Sequence, residues 1–326
     1  MTCNGLAPRL QYPNNAGFAF TILDDTDDAT VQNVKPIYNL LSELGMRTTK
    51  TVWPLDCPEG SHLYFAGQTL EDTEYLEFVI ELVQRGFEIA SHNATMESSF
   101  RARTIQGMAA LRQYLGVTPV VHCNHGQNRE NIYWGHDRLR TGVLRMMRSI
   151  VQIAMSGPKY SGHDPDSPYF WGDLCKEHYK FVRNFAFASI NSGAIPPFAP
   201  YRERSTPWVN YWFSTTDAPD RWYFLRLFTR KNIHRLIREG GSCIVSTHLG
   251  KGFVADGIVH PAVEDVLRFV ASQGGWFPTV SELLEFQLAH AADEYIQRTT
   301  RWKLELMHVV DRVRNRLNPP LTSLPR

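Results

Sequence analysis

The chain has 326 residues, enough for one large domain or two ordinary ones, and its 43% hydrophobic content supports a full core. A formal net charge of +1, with no Lys/Arg block, argues against a nucleic-acid surface, and no apolar run approaches the roughly 18 residues of a membrane span. The N-terminus, MTCNGLAPRL, lacks the apolar core of a signal peptide, and the five cysteines are scattered with no CxxC pair, so the expected compartment is the cytoplasm.

An apolar strand over residues 18–23 runs directly into Asp24, Asp25, Asp27 and Asp28. A helix follows, with Val34, Ile37, Tyr38, Leu41 and Leu44 on one face and Gly45 beyond its end. The alternation then repeats. Strands are expected over 48–53, 87–91 and 119–122, with helices between them that stop at Gly86 and Gly116. A less regular middle has an amphipathic helix over 139–154 and loops over 156–179 and 190–201, with a strand near 209–214 after them. Strands over 243–247 and 276–279 flank a further helix that closes at Gly274. Alternating β and α with short connections predicts a parallel sheet with helices outside it. Near the C-terminus, Tyr295, Thr299, Trp302, Leu306, Val309 and Val313 form a stripe of alternating four and three spacing. It reads as a helix packed on the domain, and it also offers a homo-oligomer contact.

The strand ends collect the chemistry. They present Asp24 and Asp25, then His92, then His122, Asn124 and His125, then Asp217 and Asp220, and finally His248. In a parallel fold these groups share one rim. Carboxylate and imidazole together suit Zn²⁺ or a similar divalent ion, and a remaining carboxylate and histidine can act as base and acid in hydrolysis. Adjacent carboxylates repel, and a cation relieves that repulsion. Each group also has a plain structural use, as a helix cap, a turn or a hydrogen-bonded core residue.

The order of these motifs resembles the polysaccharide deacetylase family, the NodB-homology domain, over residues 18–287. Thr21-Ile22-Leu23-Asp24-Asp25 is similar to its first motif, His92-Asn93-Ala94-Thr95-Met96 to its second, and Ile244-Val245-Ser246-Thr247-His248 to its fifth. His122-Cys123-Asn124-His125-Gly126 and Asp217-Ala218-Pro219-Asp220-Arg221-Trp222 are looser echoes of the third and fourth. The resemblance implies a distorted parallel (β/α)7–8 barrel over 1–287, with a long loop at about 156–201, and a C-terminal helix and tail over 288–326. It implies Asp24 as catalytic base, His248 as catalytic acid oriented by Asp217 or Asp220, and Asp25 and His92 as ligands of a divalent metal, Zn²⁺ by preference. Met96 stands where the second ligand histidine belongs, and Met is a poor ligand for such an ion. Either His125 or His122 supplies the third ligand, or the site has lost its metal and the chain binds carbohydrate without chemistry. The expected substrate is a small molecule or oligosaccharide carrying an N-acyl amino sugar, with a non-sugar amide as the alternative. Asn124, Asn128, Trp134 and Trp212 are the expected substrate-binding residues.

Overall fold

A computed structural model describes residues 10–58, 61, 67–146 and 159–318. Part of the expected 139–154 helix and the tail beyond residue 318 lie outside these residues. Seven parallel strands form a closed barrel: β1 Ala19–Asp24, β2 Thr49–Val52, β3 Glu88–Ser91, β4 Val121–His122, β5 Phe181–Phe187, β6 Tyr211–Asp217 and β7 Ser242–Thr247. They pair in chain order, and β7 closes on β1 with Ala19 opposite Ser242 and Asp24 opposite Thr247. The alternation predicts the parallel sheet with helices outside it, and the family resemblance implies the closed barrel of seven or eight strands; seven are present. The expected strand over 276–279 is reduced to a bridge between Trp276 and Ala19, so it adds no eighth strand.

Side-chain parity along the strands organises everything that follows. Successive residues of a strand point to opposite faces. On β1, Phe18, Phe20 and Ile22 face out into the layer shared with Val34, Ile37, Tyr38 and Leu41 of helix α1, Val31–Glu43. Ala19 and Leu23 face into the barrel with Ala90, Val121, Cys123, Phe181, Phe213 and Ile244. Helix α2 is Thr73–Gln84 and α3 is Arg101–Leu115; both pack outside the barrel.

One end of the barrel is plugged. Helix Val280–Ala289 begins with a capping box in which Thr279 accepts from the Glu282 amide. Its Val280 amide donates to Thr49 Oγ1 and its Gln287 donates to Ser242 Oγ, both at strand starts. Val280, Leu283 and Leu284 complete the inner core there. The strand C-termini are left as the open mouth.

Two departures from expectation concern the second half. The stretch 156–179 contains a short helix, Gly172–His178, and β5 follows it immediately, where no strand was expected. The C-terminal helix, Arg298–Leu317, does pack on the domain, but not through the expected stripe. Leu304, Arg301 and Glu305 are buried, whereas Trp302, Leu306 and Val313 are exposed. The reason is polar. Glu305 accepts from the amides of Arg140 (2.6 Å) and Thr141 (2.9 Å), and Arg301 pairs with Glu203 at 3.2 Å. These bonds fix which face turns inward. Among the described residues no helix is long and apolar enough to cross a membrane.

Candidate metal centre

At the mouth, the chain leaves β1 and turns sharply. The Asp25 amide still donates to Thr247 O on β7 (2.8 Å), and the Ala29 amide closes a turn onto Thr26 O (3.0 Å) with Asp28 at φ 59°. That turn lifts Asp27 over the barrel axis. Gly250 makes the close approach possible: a Cβ there would lie 2.6 Å from the Asp28 carbonyl, so only glycine fits.

Asp27, His92 and His125 form a cluster whose ligand atoms all lie within 4.8 Å of one another. His92 Nε2 is 3.4 Å and His125 Nε2 3.8 Å from Asp27 Oδ1. Each ring has committed its other nitrogen. His92 Nδ1 donates to Cys123 O (2.9 Å) and His125 Nδ1 donates to Asn128 Oδ1 (2.9 Å). A Nδ1–H imidazole keeps its Nε2 lone pair for a cation. Asp27 Oδ1 is buried and makes no hydrogen bond. An unpaired buried carboxylate oxygen facing two lone-pair nitrogens is unfavourable without a cation and suited to one. The donor set of one carboxylate and two imidazoles matches a divalent ion of the Zn²⁺ type with an open position.

His248 completes the ring of groups. Its Nε2 lies 3.4 Å from Asp27 Oδ2, and its Nδ1 donates to Pro219 O at 2.6 Å. Burial pushes this imidazole down, but the contact with Asp27 and the charges of Asp25 and Asp27 outweigh it and raise its pKa. Lys251 Nζ stands 3.6 Å from Asp27 and 3.8 Å from Asp28. Burial would raise Asp27. Contacts with His248 and His92 hold it instead well below the usual carboxylate range.

Asp25 is the inward-facing carboxylate of the pair at the end of β1. Arg183 Nη1, from β5, bridges its two oxygens at 2.9 and 2.7 Å and also donates to Ser246 Oγ. Burial would raise Asp25, yet Arg183, then His92 and His248, keep it below the ordinary range. A one-residue bulge on β5 between Arg183 and Ala186 turns Phe185 and Phe187 outward while Arg183 remains inside.

Several expected placements are corrected by parity. Asp24 was expected to face the mouth, but as an even residue of β1 it points outward. Its Oδ2 accepts from Lys50 Nζ (2.9 Å) and Tyr38 OH (2.8 Å), and its Oδ1 from the Leu249 amide (2.8 Å). Asp24 and Lys50 are both fully buried, so this pair braces the barrel against α1. Asp25 is spoken for by Arg183, and the cluster with the histidines is made by Asp27. Of the two histidines proposed to replace the missing ligand, His125 joins the cluster. His122 faces outward between the rings of Trp171 and Tyr179, within 3.3 Å of Ser91 Oγ and Asn124 Oδ1. Burial pushes its pKa down to about 3.

The remaining expected residues are structural or supporting. Asn124 braces a turn, exchanging bonds with both the amide and the carbonyl of Ile132. Trp212 is buried and donates to Thr206 Oγ1 (2.9 Å), so it is a core residue. Trp134 donates to Gly126 O and carries Arg138 on its face. Asn128 touches His125 rather than the mouth. Asp217 accepts from Arg312, and Asp220 caps the helix Arg221–Leu227. The segment between them holds His248 through the Pro219 carbonyl instead of a carboxylate. Trp53 is fully buried and lies against both imidazoles of the cluster, stacked on His92 at 5.9 Å and edge-on to His125 at 5.4 Å. Arg183 was missed because its strand was missed; Phe181, Phe185 and Phe187 around a polar pair were the available signal.

No family model and no curated protein matches the sequence. Solved structures do match. A structure from Mycobacterium smegmatis designated a polysaccharide deacetylase aligns with TM-score 0.52 at 13% identity, over 90% of this chain and 99% of that one. The two chains share the seven-stranded parallel barrel fold. A second deacetylase-designated structure, from Pseudomonas aeruginosa PAO1, aligns with TM-score 0.50 at 12% identity over 86% of this chain and 93% of its own. Puue allantoinase aligns comparably, with TM-score 0.51 at 12% identity over 86% and 94%. On this barrel, Met96 is buried and outside the cluster, and the second imidazole comes from the loop after β4 as His125.

Proposed function

We propose that the chain is a metal-dependent hydrolase that removes an N-acyl group from an amino sugar or glycan precursor. The observation that carries this reading is the cluster of Asp27, His92 and His125, with the Asp27 Oδ1 acceptor unpaired and both Nε2 lone pairs turned to it. Asp27, His92 and His125 would hold a divalent ion, Zn²⁺ by donor chemistry. Such an ion polarises an acyl carbonyl and lowers the pKa of a water in its open position.

The protein's own groups divide the proton work. Asp25 is kept ionised by Arg183 and sits inside the mouth, so it takes the proton of the attacking water as oxygen bonds to the acyl carbon. Arg183 is locked to Asp25 and Ser246, which fixes the carboxylate's orientation. His248 holds its Nδ1 proton on Pro219 O, and its raised pKa favours a second proton on Nε2. That Nε2 proton passes to the nitrogen of the leaving amine as the C–N bond breaks. The products are a carboxylic acid and a free amine. The base role therefore moves from Asp24 to Asp25 and the metal role from Asp25 to Asp27, while His248 keeps the role the motif order gave it.

The test is acid release from N-acetylated amino-sugar oligomers by the zinc-loaded protein, with small cyclic and linear amides in the same panel because an allantoinase shares the fold. Release from the sugars that is lost in Asp27→Ala supports the reading. Release from the amides alone replaces the substrate class. No release from any substrate, with zinc bound at the cluster, leaves a binding protein.

A further inference from the structure

His125 is held at three atoms by three asparagines. Its amide donates to Asn93 Oδ1 (2.9 Å), its carbonyl accepts from Asn131 Nδ2, and its Nδ1 faces Asn128 Oδ1 (2.9 Å). An amide side chain can be turned either way, and the two ways select opposite tautomers of the imidazole it touches. What decides the direction is a buried carboxylate. Glu130 is fully buried, and its Oε1 accepts from Asn128 Nδ2 (2.8 Å) and Asn93 Nδ2 (3.0 Å), while its Oε2 accepts from the Ser99 amide (3.0 Å). Asn128 Nδ2 has two further acceptors, Thr95 O and Glu97 O, both at 2.9 Å. Its oxygen must therefore face His125.

We propose that Glu130 is a positioning residue for the metal centre: through Asn128 and Asn93 it fixes His125 as the Nδ1–H tautomer with Nε2 turned to Asp27. The inference rests on the metal reading above. Glu130 touches neither Asp27 nor a ligand histidine among its hydrogen-bond partners. Burial raises its carboxyl and the Ser99 amide and the Asn128 side chain pull it part of the way back, leaving it at about 7. Every partner it has is a donor, so the site is built for the ionised form. The loop that follows clamps the same segment. Trp171 Nε1 donates to Glu130 O (2.6 Å), Tyr160 OH donates to Gly126 O (3.0 Å), and a Cβ on Gly162 would collide with Glu130 O. Where the family resemblance expects a histidine the chain has Met96, and its second imidazole, His125, comes from a loop, which needs this support to hold its position.

Glu130→Gln swaps one acceptor oxygen for a donor amide in an otherwise identical shape. The experiment uses the ¹⁵N-labelled full chain at pH 8. The tautomer of His125 is read without metal from long-range ¹H–¹⁵N correlations, assigned against His125→Gln. Zinc affinity is read by competition with a chromophoric chelator. Wild type should show Nδ1–H at His125. Glu130→Gln should lose that single tautomer and bind zinc roughly 10–100-fold more weakly, with thermal unfolding still cooperative. Adding Glu130→Gln to Asn128→Ala should weaken zinc binding by less than the two losses summed, because Glu130 acts on the His125 ring through Asn128. A wild-type tautomer and wild-type zinc affinity in Glu130→Gln overturn the proposal, as do losses that add in the double variant. If Glu130→Gln does not fold, Glu130→Asp, which keeps the charge and shortens the reach, decides by the same readouts. If wild type binds no zinc, the metal reading fails, and the tautomer comparison alone still decides the role of Glu130.

Discussion

Arg183 reaches across the barrel from β5 to Asp25 at the end of β1, one guanidinium nitrogen bridging both carboxylate oxygens at 2.9 and 2.7 Å. Removing the cation leaves a buried carboxylate unpaired, which costs on the order of 3–5 kcal/mol. It also raises the pKa of Asp25. Arg183→Met should therefore lower the denaturant midpoint and move the acid limb of the pH–activity profile upward, since the base must be ionised to act. Denaturant unfolding and a pH–rate profile check both. An unmoved acid limb removes Asp25 as the base.

Asp24 and Asp27 should separate structure from chemistry. Asp24→Asn breaks the buried pair with Lys50, so it should destabilise the barrel by on the order of 3–5 kcal/mol while zinc content stays at the wild-type level. Asp27→Asn should do the reverse, with zinc lost and the unfolding midpoint nearly unchanged. Metal analysis of the two purified variants gives the answer. Zinc loss in Asp24→Asn with retention in Asp27→Asn would restore the first-motif assignment.

The contrast between these two carboxylates shows what the sequence makes legible. The strand–helix rhythm made the parallel sheet and its outer helices legible, and the strand ends made the mouth legible, because apolar periodicity and terminal glycines are local features; closure into a barrel came from the motif resemblance. His92, His125 and His248 were all legible as strand-end residues. Which of Asp24, Asp25 and Asp27 does what was legible only in part. Phe18, Phe20 and Ile22 are the bulky outer face of β1, and counting on by two places Asp24 outside and Asp25 inside. The same count separates outward His122 from inward Cys123. The turn that carries Asp27 over the axis is tertiary, since it needs Gly250 against the Asp28 carbonyl. Arg183 lay in a strand with a bulge, where alternation breaks and the period-two pattern fades.

His122 makes a prediction about pH. It stays neutral in the folded chain, with its pKa pushed down by burial to about 3, and charges readily once unfolded. A depressed folded pKa means its stabilising contribution is complete above about 6.5 and is lost as pH falls toward 3. In that window it contributes a slope of about 1.4 kcal/mol per pH unit. Stability of wild type minus His122→Gln, measured by urea unfolding from pH 7 to 4, should fall with that slope. A constant difference would place a charged or solvated imidazole at this position.

Gly250 should tolerate no side chain. Gly250→Ala places a Cβ 2.6 Å from the Asp28 carbonyl and must part the Asp27 turn from the His248 loop. An overpacking cost of roughly 1–3 kcal/mol and weaker zinc binding are expected together. Calorimetric unfolding and chelator competition on one sample measure both. Wild-type zinc affinity in this variant would show that the two loops are not held by this contact.

The central claim is that Asp27, His92 and His125 hold a divalent ion. Anomalous diffraction at the zinc edge, from crystals of the full chain grown with Zn²⁺, tests it most directly. One strong peak is expected about 2.0–2.2 Å from an Asp27 carboxylate oxygen and from Nε2 of both His92 and His125, with Asp25 still paired to Arg183. A peak bound by Asp25 with His122, or no peak inside the barrel mouth, would contradict it.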